Sequence, residues 1–282
     1  MDEEGYVVLR DIITEQEHEE GMSLFWESMK QLNPKIDPND TFTWQNSFWP
    51  GRFSDGISTE HGIPHSKFMW YNRTRPAMIK IFSYLLNSPE LVVSFDGMIT
   101  FRPGIPTSSG FWPHVDQNIG LIGSEDYNIQ GAINYEAIGK DMGGFCCVPG
   151  SHKGWSSYLQ DIYKGKTPKT HGHMIDYKDP RLVNLVKLVI PARSATIWLG
   201  KTIHCSTSSK PDIPMKVVDG KPRLDRLVAL VSYAEADKAD LESVKRKYLD
   251  CLPNNKGTTH WARLCVIQPP NRWGRPKNSL PL

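Results

Sequence analysis

The sequence has little cysteine and almost no net charge, and each shortage excludes a class of protein. Its five cysteines form no Cys-x-x-Cys motif, which excludes zinc-finger and thioredoxin-type chemistry, and their odd count favours free thiols in a reducing compartment. The adjacent Cys146 and Cys147 lie in an apolar run and are interpreted as small core residues. The formal net charge is only +2, so nothing indicates a nucleic-acid or membrane-surface partner.

Long apolar runs are also missing. No stretch approaches the roughly 20 residues that a bilayer-spanning helix needs, and the acidic start Asp2 to Glu4 does not have the basic residues of a secretory signal. The sequence therefore predicts a cytoplasmic protein without a membrane partner. What it does have is an ordinary globular composition of 39% hydrophobic and 23% charged residues over 282 positions, which is enough to bury a core without disulfides.

Helical patterns occupy both ends of the chain. Thr14 and Glu17 have the spacing of a capping box, and large apolar residues follow at helical intervals, which predicts a helix over residues 15–32. A second helix is predicted over about 74–87, with a proline in its first turn. Apolar residues spaced for one buried face predict a third helix over 240–252.

Between the first two helices lies a segment without periodicity that mixes turn formers with large aromatic side chains. The stretch Thr41 to Tyr71 is too long for an ordinary connection, and we predict that it is a lid over a substrate site. Trp70 and Arg73 at its end are candidate substrate residues, since tryptophans and arginines suit a polar or anionic ligand. The alternative is a loop that is packed onto the fold by its aromatic residues.

From residue 91 onward the pattern changes to short β-rich runs bounded by Gly, Pro, Asn or Asp. Seven strands are predicted: Leu91–Phe95, Gly97–Arg102, Gln130–Tyr135, Gly144–Pro149, Val186–Ile190, Ser194–Leu199 and Arg226–Tyr233. So many short strands with few helices between them indicate an antiparallel sandwich or barrel. We expect a single domain over 1–282, with a helical part and lid over about 1–90, a β core over about 91–235, and a helix and tail over 236–282.

The most informative segment contains His114 and Asp116. Residues two apart on a strand point to the same side, where an imidazole and a carboxylate can bind one metal ion. His204, just after the strand Ser194–Leu199, is a candidate for the third ligand. Two histidines and one carboxylate leave three positions of an octahedron open, which is the non-haem Fe(II) arrangement that binds a cosubstrate and O2.

Other interpretations of these histidines remain open. A His-x-Asp pair alone is also found as a solvated loop pair or as a hydrogen-bonded structural histidine. His171 and His173 form a rival metal pair, although the glycine between them and the nearby Lys and Pro suggest an exposed loop. Order along the chain favours the first set, because Arg226 follows it at the head of an apolar strand, where a guanidinium facing the metal can hold a carboxylate in a bidentate pair.

Taken together, these motifs resemble the phytanoyl-CoA dioxygenase-like family of Fe(II)/2-oxoglutarate-dependent oxygenases over most of the chain. The opening Gly5–Asp11, the His114–Asp116 pair and the distal His204 are similar to that family's motifs, and the most specific match is Gly144–Lys153, which contains Val-Pro-Gly-Ser-His-Lys. Arg226 matches the arginine that binds 2-oxoglutarate, but it follows the distal histidine at a longer distance than is usual.

The extra length in that interval falls on residues 210–224, which look like an inserted hairpin with Gly220 near its turn. The insertion makes Arg223 a rival for the role of Arg226. By resemblance, His152 in the Val-Pro-Gly-Ser-His-Lys motif is structural and is not a ligand.

The resemblance implies a mainly β fold with flanking helices, a double-stranded β-helix of the jelly-roll or cupin-like type. It also implies Fe(II) held by His114, Asp116 and His204, with 2-oxoglutarate as cosubstrate, its far carboxylate paired with Arg226, and O2 as oxidant. The expected reaction oxidises an unactivated C–H bond of a small, polar or anionic metabolite, by hydroxylation or by desaturation or cyclisation, and releases succinate and CO2. The presence of Asp116 argues against halogenation.

Four neighbouring side chains are further candidates. Thr100 and Arg102 alternate along a strand that leads to the histidine segment and are predicted to reach the cosubstrate or the substrate, the alternative being a sheet surface. Asn134, in mid-strand, is predicted to contact 2-oxoglutarate, since a buried amide needs partners. Trp112 precedes the ligand pair and is a candidate substrate wall, in competition with simple core packing.

The implied partner is therefore a small-molecule substrate, with no nucleic acid and no membrane, for a monomer or a homodimer. A metal-free jelly-roll binding module, contacting a partner through the tail from Trp261 to Lys277, is the alternative function. It gives no reason for the His-Asp-His set and a following arginine to occur together, so the sequence favours the enzyme.

Overall fold

The computed structural model describes residues 1–50, 56–105, 111–117, 128–155, 157–158, 172–210 and 212–267. Its α-helices are α1 (Glu15–Leu32), α2 (Lys67–Arg73), α3 (Pro76–Leu86) and α4 (Leu241–Arg246). A π-helical turn at Lys247–Cys251 continues α4, and 3-10 turns lie at Thr41–Trp44, Ile63–His65, Ser151–Gly154 and Pro180–Asn184. The strands are β1 (Tyr6–Leu9), β2 (Ile57–Ser58), β3 (Leu91–Val93), β4 (Met98–Phe101), β5 (His114–Val115), β6 (Ile129–Asn134), β7 (Gly144–Cys147), β8 (His173–Met174), β9 (Val186–Lys187), β10 (Ser194–Leu199), β11 (His204–Thr207), β12 (Val217–Val218), β13 (Lys221–Pro222), β14 (Arg226–Leu230) and β15 (Tyr233–Glu235).

Two antiparallel sheets form the body of the protein, which confirms the predicted mainly β, jelly-roll fold. The larger has six strands in the order β1-β10-β6-β14-β4-β2, and the smaller has five in the order β8-β5-β11-β7-β9. Neighbours in each sheet are mostly distant in the chain, as in a double-stranded β-helix. None of the described helices is both long and apolar enough to cross a membrane.

Alternation along the strands of the six-stranded sheet separates two cores. On β10, Ala195, Ile197 and Leu199 join a large cluster with the helices, whereas Trp198 joins a second cluster with Phe145 of the other sheet. The outer face of the six-stranded sheet is therefore covered by helices, and its inner face meets the five-stranded sheet.

Helix α1 covers part of that outer face and has the bounds that the sequence predicts. The Thr14 side chain accepts a hydrogen bond from the Glu17 N–H at 3.1 Å, and the Glu17 carboxylate accepts one from the Thr14 N–H at 2.8 Å. This capping box satisfies two backbone donors at the start of the helix. Phe25 and Met29 on the inward side are fully buried.

The aromatic segment predicted to be a lid contributes instead to the helix-side core. Trp44, Trp49 and Phe68 are all buried there, as the alternative of a packed loop requires. Moving these three side chains would expose part of that core, so opening of the whole segment stays a prediction. Ile57 and Ser58 extend the six-stranded sheet as β2, and residues 51–55 lie outside the described part.

Several predicted elements differ from the structure in extent. The last predicted strand is divided into β14 and β15, which pair with different neighbours. The third predicted helix is α-helical only to Arg246. The predicted insertion does contain a hairpin, β12–β13, with Gly220 at φ 74° in its turn, a conformation that glycine adopts without strain.

Candidate functional site

A cavity of about 310 Å³ lies between the inner faces of the two sheets. The six-stranded sheet contributes alternate residues of β6, namely Gln130, Ala132 and Asn134, because its other residues on that strand face the helices. Side chains of β5, β7 and β11 line the opposite wall. Strand alternation alone therefore decides which side chains reach this space.

The structure brings together His114, Asp116 and His204 at this cavity. His114 on β5 pairs directly with His204 on β11, so their side chains lie on the same face. The Oδ2 atom of Asp116 is 3.6 Å from Nε2 of His114 and 3.3 Å from Nε2 of His204. One ligand atom from each residue lies within 4.8 Å of the others.

Hydrogen bonds hold each of these side chains in a fixed orientation. Nδ1 of His114 lies 2.7 Å from the carbonyl of Trp112, and Nδ1 of His204 lies 2.9 Å from the carbonyl of Thr202. Donation from Nδ1 fixes the tautomer, so that Nε2 presents its lone pair to the centre of the group. Gln130 donates to Oδ2 of Asp116 at 2.9 Å.

Electrostatics favour a cation at this point. Burial alone would raise the pKa of Asp116, but the imidazoles of His260 and His114 hold that pKa well below its usual range. Burial likewise opposes protonation of His114, whose pKa is nevertheless raised by the Asp116 carboxylate. Burial lowers the pKa of His204, with a smaller contribution from His114. The result is an ionised carboxylate beside two imidazoles, a donor set that fits non-haem Fe(II).

Arg226 lies across the cavity from the carboxylate ligand, at one end of β14. It is 3% exposed, its Nη1 donates to the Ser206 hydroxyl at 2.9 Å, and its buried Nε has no hydrogen-bond partner among the described residues. Burial lowers its pKa to about 10, so it remains a cation at neutral pH. A buried guanidinium with an unused donor suits a carboxylate ligand.

Asn134 is the other predicted cosubstrate residue that lines the cavity. Its amide donates to the Thr196 hydroxyl at 3.0 Å and to the Ser194 carbonyl at 3.3 Å. These bonds fix the amide against the inner face of the sheet. Trp112 also lines the cavity.

The rival arginine lies elsewhere. Nε of Arg223 is 2.9 Å from a carboxylate oxygen of Glu136, in an ion pair at the edge of the protein, and Arg223 does not line the cavity. Of the two arginines, only Arg226 faces the metal-ligating set.

Thr100 is placed differently from the prediction. It pairs with Leu227 across β4 and β14, and Leu227 faces the helix-side core, so Thr100 lies on the outer face of the sheet. Ile99 is the residue of β4 that lines the cavity. The predicted contact of Thr100 with a cosubstrate is therefore not formed.

Arg102 also lies outside the cavity and binds the preceding aromatic segment. It donates to the Trp44 carbonyl and to the Asn46 side chain, the latter at 2.7 Å. These bonds hold that segment against the sheet. Arg102 is therefore not among the residues that line this cavity.

Trp70 and Arg73 pack against each other, with the Arg73 guanidinium 5.1 Å from the Trp70 ring centroid. Arg73 is 2% exposed and donates to the main-chain carbonyls of Pro64 and Asp96. Neither residue lines the cavity. Both stabilise the fold beside it, in contrast to the predicted substrate role.

For the rival metal pair, His171 lies outside the described residues. His173 pairs with Val115 on the neighbouring strand, and Val115 packs in a small outer cluster, so the His173 side chain faces away from His114. Nε2 of His152 donates to the Asp2 carbonyl at 3.0 Å, consistent with a structural residue.

Three polar residues that line the cavity are not predicted by any pattern in the sequence. His260 has Nδ1 3.8 Å from Oδ2 of Asp116, and burial lowers its pKa. Thr259 precedes it, and Asp96 lies on the connection between β3 and β4. The sequence around Thr259 and His260 shows no periodicity, so nothing in it indicated that these two residues reach the cavity.

Comparison with known proteins assigns this architecture to a family. The family model of phytanoyl-CoA dioxygenase matches residues 1–210. Two curated proteins are similar over much of their length. The Ava biosynthesis cluster protein O of Aspergillus versicolor is 24% identical over 93% of this chain and 86% of its own length. A putative phytanoyl-CoA dioxygenase of Dictyostelium discoideum is 24% identical over 73% of this chain and 68% of its own length.

Solved structures share the fold. The non-haem α-ketoglutarate-dependent carbocyclase SnoK from nogalamycin biosynthesis superposes with a TM-score of 0.52 at 13% identity, covering 95% of this chain and 90% of its own. The epimerase SnoN, in complex with Fe3+, α-ketoglutarate and nogalamycin RO, gives a TM-score of 0.50 at 16% identity, covering 96% and 93%.

Proposed function

The chain belongs to the phytanoyl-CoA dioxygenase family of Fe(II)- and 2-oxoglutarate-dependent enzymes, and from this premise we propose that it oxidises an unactivated C–H bond of a small polar metabolite. The oxidation ends in hydroxylation, desaturation or ring closure, with release of succinate and CO2. Family membership decides against the metal-free binding module. The observation that carries the proposal is one cavity with His114, Asp116 and His204 on one side and Arg226 on the other.

The three ligands each have a defined task. His114 and His204 offer Nε2 because Nδ1 of each ring is bonded to a carbonyl, and Gln130 keeps the Asp116 carboxylate from rotating. Orienting bonds of this kind commonly determine metal affinity. Fe(II) bound here would couple the oxidative decarboxylation of 2-oxoglutarate by O2 to oxidation of the substrate.

Arg226 is proposed to bind the far carboxylate of 2-oxoglutarate. Its Nη1 is already directed by Ser206, and its unpartnered Nε offers a second donor for a charge-assisted pair. Asn134 lines the same cavity, and we expect it to orient the cosubstrate. The guanidinium and the metal ligands together define the two ends of a bound diacid.

The remaining walls exclude water and hold the substrate. Ile99, Trp112 and Leu230 present apolar surface to the cavity. Such walls strengthen the charge pairs inside and protect a reactive centre from solvent. Similarity to a protein of a biosynthesis cluster supports a metabolite of secondary biosynthesis as the substrate.

Succinate formation tests the proposal. Protein loaded anaerobically with Fe(II) and then given 2-oxoglutarate and air should produce succinate, and a metabolite extract containing the substrate should accelerate it. The His204→Ala variant is the control for adventitious iron chemistry. Equal succinate formation by His204→Ala and by the unaltered protein would contradict the proposal.

A further inference from the structure

The function proposed above uses Arg226, Asn134 and the metal-ligating residues of the cavity. Three further polar residues of its wall, Asp96, Thr259 and His260, have no role in that function. Thr259 and His260 lie beyond residue 210, where the family match ends, so family membership assigns them no role.

Main-chain pairing holds the segment that carries Thr259 and His260. Thr258 receives a hydrogen bond on its hydroxyl from the Phe95 N–H at 2.9 Å and donates its own N–H to the Phe95 carbonyl at 2.8 Å. The Thr259 N–H donates to the Val266 carbonyl at 2.8 Å. The backbone of this segment is therefore fixed beside Asp96, and its side chains have a defined direction.

Two atoms of the segment are buried without a hydrogen-bond partner among the described residues, the Thr259 hydroxyl oxygen and Nε2 of His260. An unsatisfied buried polar atom is costly, and native proteins keep few of them. Two such atoms on neighbouring residues that line one cavity indicate a site for a ligand atom. A hydroxyl group can donate to one of them and accept from the other.

The charged residues around Thr259 and His260 favour a neutral ligand group. Among the described residues that line the cavity, Arg226 is the only Lys or Arg, and the function proposed above assigns it to the cosubstrate. Arg73, near Asp96, does not line the cavity and donates from both Nη atoms to the carbonyls of Pro64 and Asp96. No lysine or arginine of the described lining is therefore left to pair with a second carboxylate or phosphate.

We propose that Thr259 and His260 orient the substrate by hydrogen-bonding a neutral hydroxyl group on an otherwise largely apolar molecule. This inference rests on the function proposed above. The inference restricts the substrate, which the sequence predicts to be polar or anionic, to neutral alcohols. The reason is that Thr259 and His260 line the same cavity as the apolar side chains of Ile57, Ile99 and Trp112. Residues that hold a hydroxyl in a buried site discriminate strongly against molecules that lack one.

Binding of two matched probes tests the proposal without knowledge of the natural substrate. Cyclohexanol and cyclohexanecarboxylate have the same ring, but the first carries a neutral hydroxyl group and the second carries a carboxylate. Their dissociation constants are measured by ligand-detected NMR on full-length protein loaded with Zn(II) and 2-oxoglutarate. We expect cyclohexanol to bind more tightly than the carboxylate.

Isosteric variants identify the residues responsible. Thr259→Val removes the hydroxyl and His260→Phe removes the ring nitrogens, each with little change in volume, and each should weaken cyclohexanol binding about three- to tenfold, the effect of one lost neutral hydrogen bond. His260→Gln, whose amide can replace Nε2, should recover part of the loss. Lys256→Ala is the matched control, since its side chain pairs with Asp250 at the surface.

The outcomes separate this inference from the proposed function. Unchanged cyclohexanol binding in both isosteric variants, tighter binding of the carboxylate, or no binding of either probe would overturn the substrate assignment. The proposed function is tested separately, by metal content after loading and by succinate formation with Fe(II). If the protein binds metal and forms succinate but the probe test fails, the proposed function stands and the substrate assignment is wrong.

Discussion

Two arginines three positions apart have different surroundings, and the difference comes from the strand. Arg226 begins β14 and points between the sheets, where its guanidinium is 5.2 Å from the Phe101 ring centroid. Arg223 lies just before the strand, is partly exposed and pairs with the buried Glu136 carboxylate. Charge is the same in both cases, and burial decides which one is available to a ligand in the cavity.

Arg226→Ala should raise the 2-oxoglutarate concentration needed for half-maximal succinate formation by at least about tenfold, or about 1.4 kcal/mol, because a desolvated charge pair is lost. Arg226→Lys should recover only part of the loss, since a lysine has no planar fork. Arg223→Ala is the control and should leave the requirement unchanged. A large defect in Arg223→Ala with almost none in Arg226→Ala would move the assignment to Arg223.

Substitution of a metal ligand should remove iron while leaving the fold intact. We expect His114→Ala and His204→Ala each to lose most of the Fe(II) that the unaltered protein retains after gel filtration, with unchanged circular dichroism, because two ligands are a poor site. The His173 side chain faces away from the cavity, so His173→Ala serves as the control. Full iron content in His204→Ala would show that the triad is not the site.

Residue-level prediction succeeded where spacing defined the geometry. His114 and Asp116 flank one residue in an extended segment, so their convergence followed from strand alternation. The same reasoning predicted the wrong face of the sheet for Thr100. Every residue of β4 is buried, and a strand that is buried on both faces has no polar face in its sequence to show which side meets the cavity. His260 was missed because its approach to Asp116 depends on tertiary packing of an aperiodic tail.

Helix α1 shows how local chemistry fixes an element. Its capping box is complete, and the first turn contains acidic residues. Their negative charges stabilise the positive, N-terminal end of the helix dipole. The structure therefore begins the helix at the residue that the sequence predicts.

Thr14→Ala should lower the free energy of unfolding by about 1 kcal/mol, since the Glu17 N–H loses its acceptor. Ser23→Ala, at an exposed position within the same helix, should be neutral or slightly stabilising, because alanine has the higher helix propensity. Urea unfolding followed by circular dichroism measures both. Equal destabilisation by the two substitutions would show that the cap contributes nothing specific.

Elements without such signals were predicted less well. Helix α2 has only seven residues, and β2, β5 and β8 each have two, which is too short for a periodic pattern. The absence of periodicity in residues 41–71 predicts a lid. Burial of Trp44 and Trp49 in the helix-side core is a tertiary effect that composition alone does not distinguish from a mobile cover.

At the scale of the whole molecule, buried carboxyl groups make stability depend on pH. Burial raises the pKa of Asp96 from 3.8 to about 7. The folded protein therefore holds a proton that the unfolded chain releases near pH 4. Stability from this group is fully present below that pH and is lost as the pH rises toward about 7.

Asp96 should accordingly contribute a loss of free energy of unfolding in the metal-free protein as the pH is raised from about 4 to about 7, and Asp96→Asn should remove that contribution because an amide does not titrate. Urea unfolding of both proteins at several pH values measures the difference. The variant should gain stability relative to the unaltered protein as the pH rises. A constant difference across this range would contradict the raised pKa.

The pairing of β1 with β10 has a consequence for the order of events during synthesis. Tyr6–Leu9 pairs with residues 195–198, and the Thr202 hydroxyl donates to the Gly5 carbonyl while its own carbonyl faces Nδ1 of His204. Strand β1 is therefore synthesised long before its partner and stays unpaired until β10 has been made. Contacts so distant in sequence slow folding, and the distal histidine acquires its final support only when these two strands meet.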